Sequence, residues 1–371
     1  MERKKLATLG LEVSNRCNMV GICRHCNGAP GMKGRGIKYI PDSIIKMVTN
    51  EAPDLFCAVC YSGGEIATYA DRIRQMASSI HLPYSFMTNG LEVIDGTNPT
   101  SVLLSVDSDD IRPGVEHKVI FDNALRYQSN ASVSTALSRN LDIQQVYREM
   151  CDMNVRLKSS GHELSDWRLG FILPEGFASK NLSIFPSWND IFERLASFLK
   201  VFFQEWPFHL AIKGIINTAN LADLIAQGDG VYELNYESNP CRDCRLRQIY
   251  PVINVDGEFQ FCPYVRSHAI PIKGSLHATM DWMEKSKDSF LNKYSYYDWE
   301  SCLGCRYFKA CTCGCPGTGF VYTGNWTGRD VLQCTIWRMM EKYLFPVFPP
   351  KLKFYFEKDL NPRGFIPQGL I

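Results

Sequence analysis

Fifteen of the 371 residues are cysteine, and twelve of them crowd into two stretches. Cys17, Cys23 and Cys26 lie near the start. Cys241, Cys244, Cys262, Cys302, Cys305, Cys311, Cys313, Cys315 and Cys334 fall between residues 241 and 334. A disulfide framework favours even counts and an oxidising compartment; an odd count with recurring C-x2-C pairs points to metal instead. Three thiolates leave one iron of a [4Fe–4S] cube open for chemistry, and four close a cube. A set of three followed by two sets of four therefore predicts one reactive cluster and two auxiliary ones, and a scaffold that gathers thiols from both ends of the chain.

Charge narrows the partners. With 40 basic and 39 acidic residues the formal net charge is +1, and no long run carries one sign. Neither a nucleic-acid groove nor a membrane-surface patch is expected from so even a balance. The opening MERKKLATLGLEVSNRC has no long apolar core and no small-residue cleavage site, so a signal peptide is not expected. The most apolar stretch, residues 191–212, is broken by Glu193, Arg194, Lys200, Glu205 and Pro207 and falls short of a membrane span. A cytoplasmic protein with reduced thiols is the expectation.

The first half alternates strand-like and helix-like segments, the pattern of a parallel α/β sheet or barrel. Strands are expected at 7–13, 55–61, 84–88, 101–107, 132–137 and 167–173. Helices are expected at 43–52, opened by Pro41-Asp42, and at 70–79, 119–128 and 143–154. Six such units fit a partial (β/α)6 barrel, whose active site would lie at the carboxyl ends of its strands. The alternation fades after about Lys213. We therefore expect a barrel over 1–225, a cysteine-rich domain over 226–342, and a C-terminal tail over 343–371 whose aromatics pack on the body.

The chemistry concentrates at predicted strand ends. Cys17-x5-Cys23-x2-Cys26 follows the first strand, Ser62-Gly63-Gly64-Glu65 the second, Thr88-Asn89-Gly90 the third and Ser105-x-Asp107 the fourth. In this order they resemble the radical S-adenosylmethionine (SAM) superfamily. That family carries three cysteines after its first strand, usually as C-x3-C-x2-C, and a GGE motif after its second; the first gap here is two residues longer. The resemblance implies a [4Fe–4S] cluster on Cys17, Cys23 and Cys26. It further implies SAM contacts from His25, Gly63, Gly64, Glu65, Thr88, Asn89, Ser105 and Asp107, with Ser134 and Asn140 as weaker candidates. The alternative is a zinc site completed by His25.

The later cysteines, from Cys241 to Cys334, are similar in spacing to the SPASM domain, the two-cluster extension of many radical SAM enzymes. Carried over, one auxiliary cluster takes Cys241, Cys244, Cys262 and Cys315, and the other Cys302, Cys305, Cys311 and Cys334. Paired zinc ribbons are the alternative. Residues 249–262 (IYPVINVDGEFQFC) predict a β-hairpin turning at Asp256-Gly257. Cys57 and Cys60, on the second strand, and Cys151, on a helix, are expected in the core, and Cys313 as a small buried residue.

The fold class implied is α/β: a partial (β/α)6 radical SAM barrel followed by a small cysteine-rich SPASM domain, holding three [4Fe–4S] clusters and SAM. An electron from flavodoxin or ferredoxin would cleave SAM to a 5′-deoxyadenosyl radical, which abstracts a substrate hydrogen atom. The substrate would be a peptide or protein side chain or, nearly as well supported, a small sugar or nucleoside intermediate. Two features bear on that choice. Only sixteen residues precede Cys17, against the leader-binding domain of many peptide modifiers, and Pro263 stands where sulfatase-maturing relatives carry an acidic base. No general acid or base is identified; Tyr264, Asp107 and Glu175 are candidates by position alone. The tail after Tyr343 is expected to close the barrel mouth. A non-catalytic zinc-binding interaction protein is the alternative of another class.

Overall fold

The computed structural model describes residues 5–26, 36–218, 251–260, 269–285, 302–311, 314–325 and 328–367. Cys241, Cys244, Cys262, Pro263, Tyr264 and Cys313 lie outside them. Seven parallel strands stand side by side in chain order: β1 (Leu6–Ser14), β2 (Phe56–Gly63), β3 (Tyr84–Thr88), β4 (Ser101–Ser105), β5 (Asn130–Leu137), β6 (Leu164–Phe171) and β7 (His209–Ile212). β8 (Ile216–Asn217) turns back antiparallel on β7. On the opposite edge β9 (Val252–Ile253) pairs parallel with β1, and β10 (Glu258–Gln260) and β11 (Ile270–Pro271) continue the sheet antiparallel. The expected hairpin is thus present, with Gly257 in the left-handed region at φ 77°, and it extends the barrel sheet past β1.

Five helices connect the strands: α1 (Asp42–Leu55), α2 (Ala70–Ser79), α3 (His117–Arg126), α4 (Ile143–Ser159) and α5 (Trp188–Glu205). Each buries one stripe. In α5, Ile191, Leu195, Phe198 and Phe202 recur at helical spacing, and the Ser187 side chain accepts from Asp190 N to cap the start. The strands give this layer their large residues, with Leu9, Leu11, Val59, Tyr61, Phe86, Leu104, Val133 and Trp167 all fully buried. Their other face carries half-buried small or polar residues, among them Thr8, Gly10, Cys60, Ser85, Ser101 and Ser134.

The structure departs from the expected six-unit pattern in two places. No helix joins β3 to β4; Gly90 and Gly96 both sit at φ 75°, and the Asn123 amide binds the carbonyls of Gly90 and Leu91, so the chain turns twice in a stretch too short for a helix. A seventh parallel strand, β7, follows α5. Cys57 corrects another expectation. It is exposed, as is Ala7 near the start of the neighbouring β1, although Phe56 beside it is fully buried.

The remaining helices are α6 (Leu276–Lys285), α7 (Phe308–Cys311), α8 (Pro316–Thr323), α9 (Val331–Met339) and α10 (Pro350–Glu357), with one π turn at Met340–Leu344 continuing α9. The tail does pack on the body, but it does not close the strand ends. Phe348 meets Phe203 edge-on at 6.0 Å on the outside of α5, and Phe356 packs on Trp337 and Phe345. Beyond α10 the chain lies along the Cys302–Arg306 loop, where Arg306 N donates to Phe365 O at 2.8 Å and Phe365 N to Gly304 O at 3.0 Å. The expected mouth cover is therefore a cover for the second cysteine group, because the tail's aromatics find their apolar partners there. Among the described residues no helix is long and apolar enough to cross a membrane.

Candidate active site

The loops after β1, β2 and β3 form one hydrogen-bonded unit. Gly64 N donates to Ser14 O at 2.8 Å and Glu65 N to Arg16 O at 2.7 Å, laying the GGE turn against the backbone that leads into Cys17. Contact is so close that a Cβ on Gly63 would stand 2.3 Å from Ser14 O and one on Gly64 2.1 Å from Arg16 O. Only glycine fits at either position. Glu65 is 1% exposed. Its carboxylate accepts from Thr88 Oγ1 at 2.7 Å, Ala67 N at 3.0 Å and Asn89 N at 2.6 Å, joining the ends of β2 and β3. Asn89 Nδ2 then reaches Asn18 Oδ1 at 2.7 Å, tying both turns to the cysteine loop.

The loop after β4 holds the other side. Arg24 N donates to Ile111 O at 3.0 Å, and Phe177 N, in the loop after β6, to Cys26 O at 3.2 Å. Asp107 is 3% exposed and Arg112 8%. Asp107 Oδ1 accepts from Ala136 N at 2.8 Å. Its Oδ2 lies 3.0 Å from Arg112 Nε, an ion pair aligned too poorly for a hydrogen bond. Arg112 Nη1 donates to Ser105 O at 3.0 Å, and the guanidinium charge lies within electrostatic reach of the Cys23 thiol. A separate cluster of Asp110, Ser108 and Ser138 fastens this loop to the end of β5, where Asn140 N donates to Asp110 at 3.1 Å. The Ser134 carbonyl is taken by Val106 N at 2.9 Å.

The three N-terminal thiols suit an iron–sulfur cluster. Each lies within electrostatic reach of the others. Burial raises the Cys23 thiol, but His25, 3.5 Å away, and Arg112 outweigh it and hold the thiol below its usual value, favouring the thiolate that binds iron. Cys17 is pushed up to about 11, chiefly by burial, with Glu65 and the other two cysteines adding to it; ligation would release that proton. Among the described residues no three His, Cys, Asp or Glu side chains converge tightly enough to clasp a single ion.

The four thiols of Cys302, Cys305, Cys311 and Cys334 line one cavity, walled by Tyr307, Phe308, Trp337 and Pro367. Burial is the main reason that Cys311 rises well above the usual thiol range and Cys334 to about 12. Thiolates without a metal would be costly there, so the donor set suits a bound cluster that takes up their charge. Cys315 stands apart from this cavity: its N–H donates to Asp330 Oδ2 at 2.8 Å, while Asp330 Oδ1 caps α9 through Gln333 N at 2.9 Å. Cys315 is the described member of the other expected set.

No family model matches the chain, and no curated protein does. A solved structure titled native anSMEcpe with bound AdoMet, a radical SAM/SPASM enzyme, is similar over 92% of this chain and 97% of its own, with a TM-score of 0.58 and 16% identity. The chain has the radical SAM fold. The similarity spans the parallel sheet and the cysteine-rich C-terminal region alike. A looser likeness, with a TM-score of 0.41, 11% identity and coverage of 95% of this chain and 81% of the other, is to HydG, a maturase of the [FeFe]-hydrogenase.

Arg112 escaped the sequence reading. It lies in an acidic loop, SVDSDDIRP, with no motif to mark it. The one available signal was a lone cation five residues after Asp107. His117 was missed as well: its Nε2 contacts Asp107 O at 2.9 Å and its Nδ1 pairs with Glu149 at 2.6 Å.

Proposed function

We propose that this protein is a radical SAM enzyme that modifies a peptide or protein side chain. With clusters and SAM bound, the chemistry supplied is reductive cleavage of SAM and abstraction of a substrate hydrogen atom. The observation that carries this reading is the convergence of Cys17, Cys23 and Cys26 with the GGE and TNG turns at the carboxyl ends of β1–β3.

The chain's own residues have separable tasks. Gly63 and Gly64 let the β2 turn press on the cysteine loop, and Glu65, Thr88, Asn89 and Asn18 keep it there. With both carboxylate oxygens of Glu65 already accepting, its part in SAM binding is to orient the backbone of the turn more than to meet the α-ammonium directly. His25, half-buried beside Cys23, and the polar ends of β4 and β5 line the space where SAM and substrate would meet. Cys302, Cys305, Cys311 and Cys334 would hold an auxiliary cluster that relays electrons, and Cys315 would join Cys241, Cys244 and Cys262 around a second. Reduced flavodoxin or ferredoxin would supply the electron.

A peptide substrate is favoured by the likeness to anSMEcpe over nearly the whole chain. Action on a sugar or nucleoside intermediate is the second reading, supported by the small polar residues Ser105 and Ser134, paired at the carboxyl end of β4.

Anaerobic reconstitution with iron and sulfide, then dithionite and SAM, tests the chemistry. About twelve irons per chain, the number three cubanes require, together with 5′-deoxyadenosine, is the expected result. Stoichiometric zinc, or clusters that never cleave SAM, would sink the proposal. Deuterium carried into 5′-deoxyadenosine from labelled peptides, and not from labelled nucleosides or sugars, would decide the substrate.

A further inference from the structure

We infer that Arg112 and Asp107 form a buried charge pair that sets the reduction potential of the cluster held by Cys17, Cys23 and Cys26, with Arg112 raising it and Asp107 lowering it. This rests on the proposed function only in taking those three cysteines as cluster ligands.

Two loops meet here by backbone contact: Arg24 N donates to Ile111 O at 3.0 Å, so Arg112 follows directly on the residue that touches the cysteine loop. From there the guanidinium charge acts on the Cys23 thiol. It is anchored by Ser105 O at 3.0 Å and by the Asp107 carboxylate at 3.0 Å. Both residues are more than nine-tenths buried, so neither water nor salt screens them as they would a surface pair. Other charged or titratable groups that bear on Arg112 or on the thiol include His25, Glu65 and Cys17.

Adding one electron makes the cluster more negative by one charge. A fixed cation beside a ligand sulfur stabilises that reduced state, and a fixed anion opposes it. Hydrogen bonds and charges around ligand sulfurs are established levers on cluster potential. Arg112 supplies a charge. Asp107 tempers the charge, and its second oxygen, bound to Ala136 N at 2.8 Å, fixes its place. A guanidinium held only to staple two loops would need neither burial against a thiol nor a partner carboxylate at this depth. Arg112 is thus a positioning and tuning residue that acts through Cys23.

The test is an anaerobic redox titration followed by electron paramagnetic resonance. The relevant signal is the one lost when Cys17, Cys23 and Cys26 are all changed to Ala. Arg112→Gln should make reduction of that cluster at least tenfold less favourable, a midpoint about 59 mV lower for a one-electron couple. Arg112→Lys, which keeps the charge but not the fork, should recover part of the shift. Asp107→Asn, which keeps the shape and the bond to Ala136, should move the midpoint the opposite way, with reduction at least threefold more favourable.

Opposite shifts at equal iron content support the inference, since a purely structural staple would change iron loading and leave the midpoint alone. Unmoved midpoints in all three variants overturn it while leaving the radical SAM reading intact. If Arg112→Gln takes up no cluster, Asp107→Asn decides: a midpoint that stays put or falls overturns the inference. A wild-type protein with no signal that depends on Cys17, Cys23 and Cys26 overturns both readings.

Discussion

The two described cysteine sites are made of opposite materials. Around Cys17, Cys23 and Cys26 the neighbours are polar and charged: His25, Arg112, Asp107, and the Glu65–Asn89–Asn18 chain of hydrogen bonds, with Val20 and Ile22 exposed on the same loop. Around Cys302, Cys305, Cys311 and Cys334 they are mostly aromatic, with Trp337 stacked on Tyr307 at 5.8 Å, Arg329 the one charged side chain among the described residues lining the cavity, and the tail lying across the loop. The first surroundings lower the pKa of one thiol and leave a face open to a reactant. The second raise the thiol pKa values and exclude water. A reactive cluster would need the former and an electron relay would tolerate the latter, so the difference is in keeping with the proposed roles.

The sharpest way to break that contrast is by ligand removal. Changing Cys17, Cys23 and Cys26 to Ala should abolish 5′-deoxyadenosine and remove about four irons. Changing Cys302 and Cys311 should also remove about four irons, yet leave dithionite-driven SAM cleavage in place and lose substrate turnover. If both sets lose SAM cleavage equally, the division of roles fails.

Packing offers the next largest effect. Trp337→Ala opens the wall of the second cavity and should cost about 3–5 kcal/mol, measured by urea unfolding under nitrogen. Iron loss confined to about four atoms would place the damage at that site; loss from every site would mean that the two regions do not stand independently.

Glu65→Gln should be milder. The side chain keeps its shape but brings an NH2 group to face a donor, and a buried donor left unpaired costs about 1–3 kcal/mol. A lower melting temperature with slower 5′-deoxyadenosine formation is expected. An unchanged melting temperature would show that the GGE carboxylate does not hold the loops together.

The smallest effect concerns His117, which meets the first site only through the Asp107 carbonyl. Burial lowers its pKa, but the hydrogen bond to Glu149 outweighs this and raises it above the ordinary histidine value. The stabilisation is therefore complete below about pH 6.5 and fades as pH rises through the raised folded value. His117→Gln should flatten the stability profile in that window by roughly 1 kcal/mol or less. A profile identical to wild type would remove the pair from the account of the β4 end.

Much of the barrel was legible because local signals and tertiary demands agree. Aromatic Tyr84 and Phe86, alternating with Ser85 and Met87, marked β3 at the observed Tyr84–Thr88, and Asp256-Gly257 marked a turn that only a left-handed residue completes. What stayed hidden depends on distance in space. The absent helix between β3 and β4 follows from Asn123, more than thirty residues away, binding the turn. Cys57, next to the fully buried Phe56, is nonetheless exposed. The tail's partners, Phe203 and Trp337, belong to different parts of the chain. Arg112 needed the fold to bring it to Cys23.

The bond from Asn89 to Asn18 spans 71 positions of sequence. Until β1, β2 and β3 have paired, Glu65 cannot reach Asn89 and nothing holds the Cys17–Cys26 loop against its neighbours. The three thiols are therefore presented together only by a chain that has already built this part of its sheet. An iron donor meeting the newly made polypeptide finds scattered cysteines, and finds a nest for a cluster only after folding, so maturation is timed by the sheet itself.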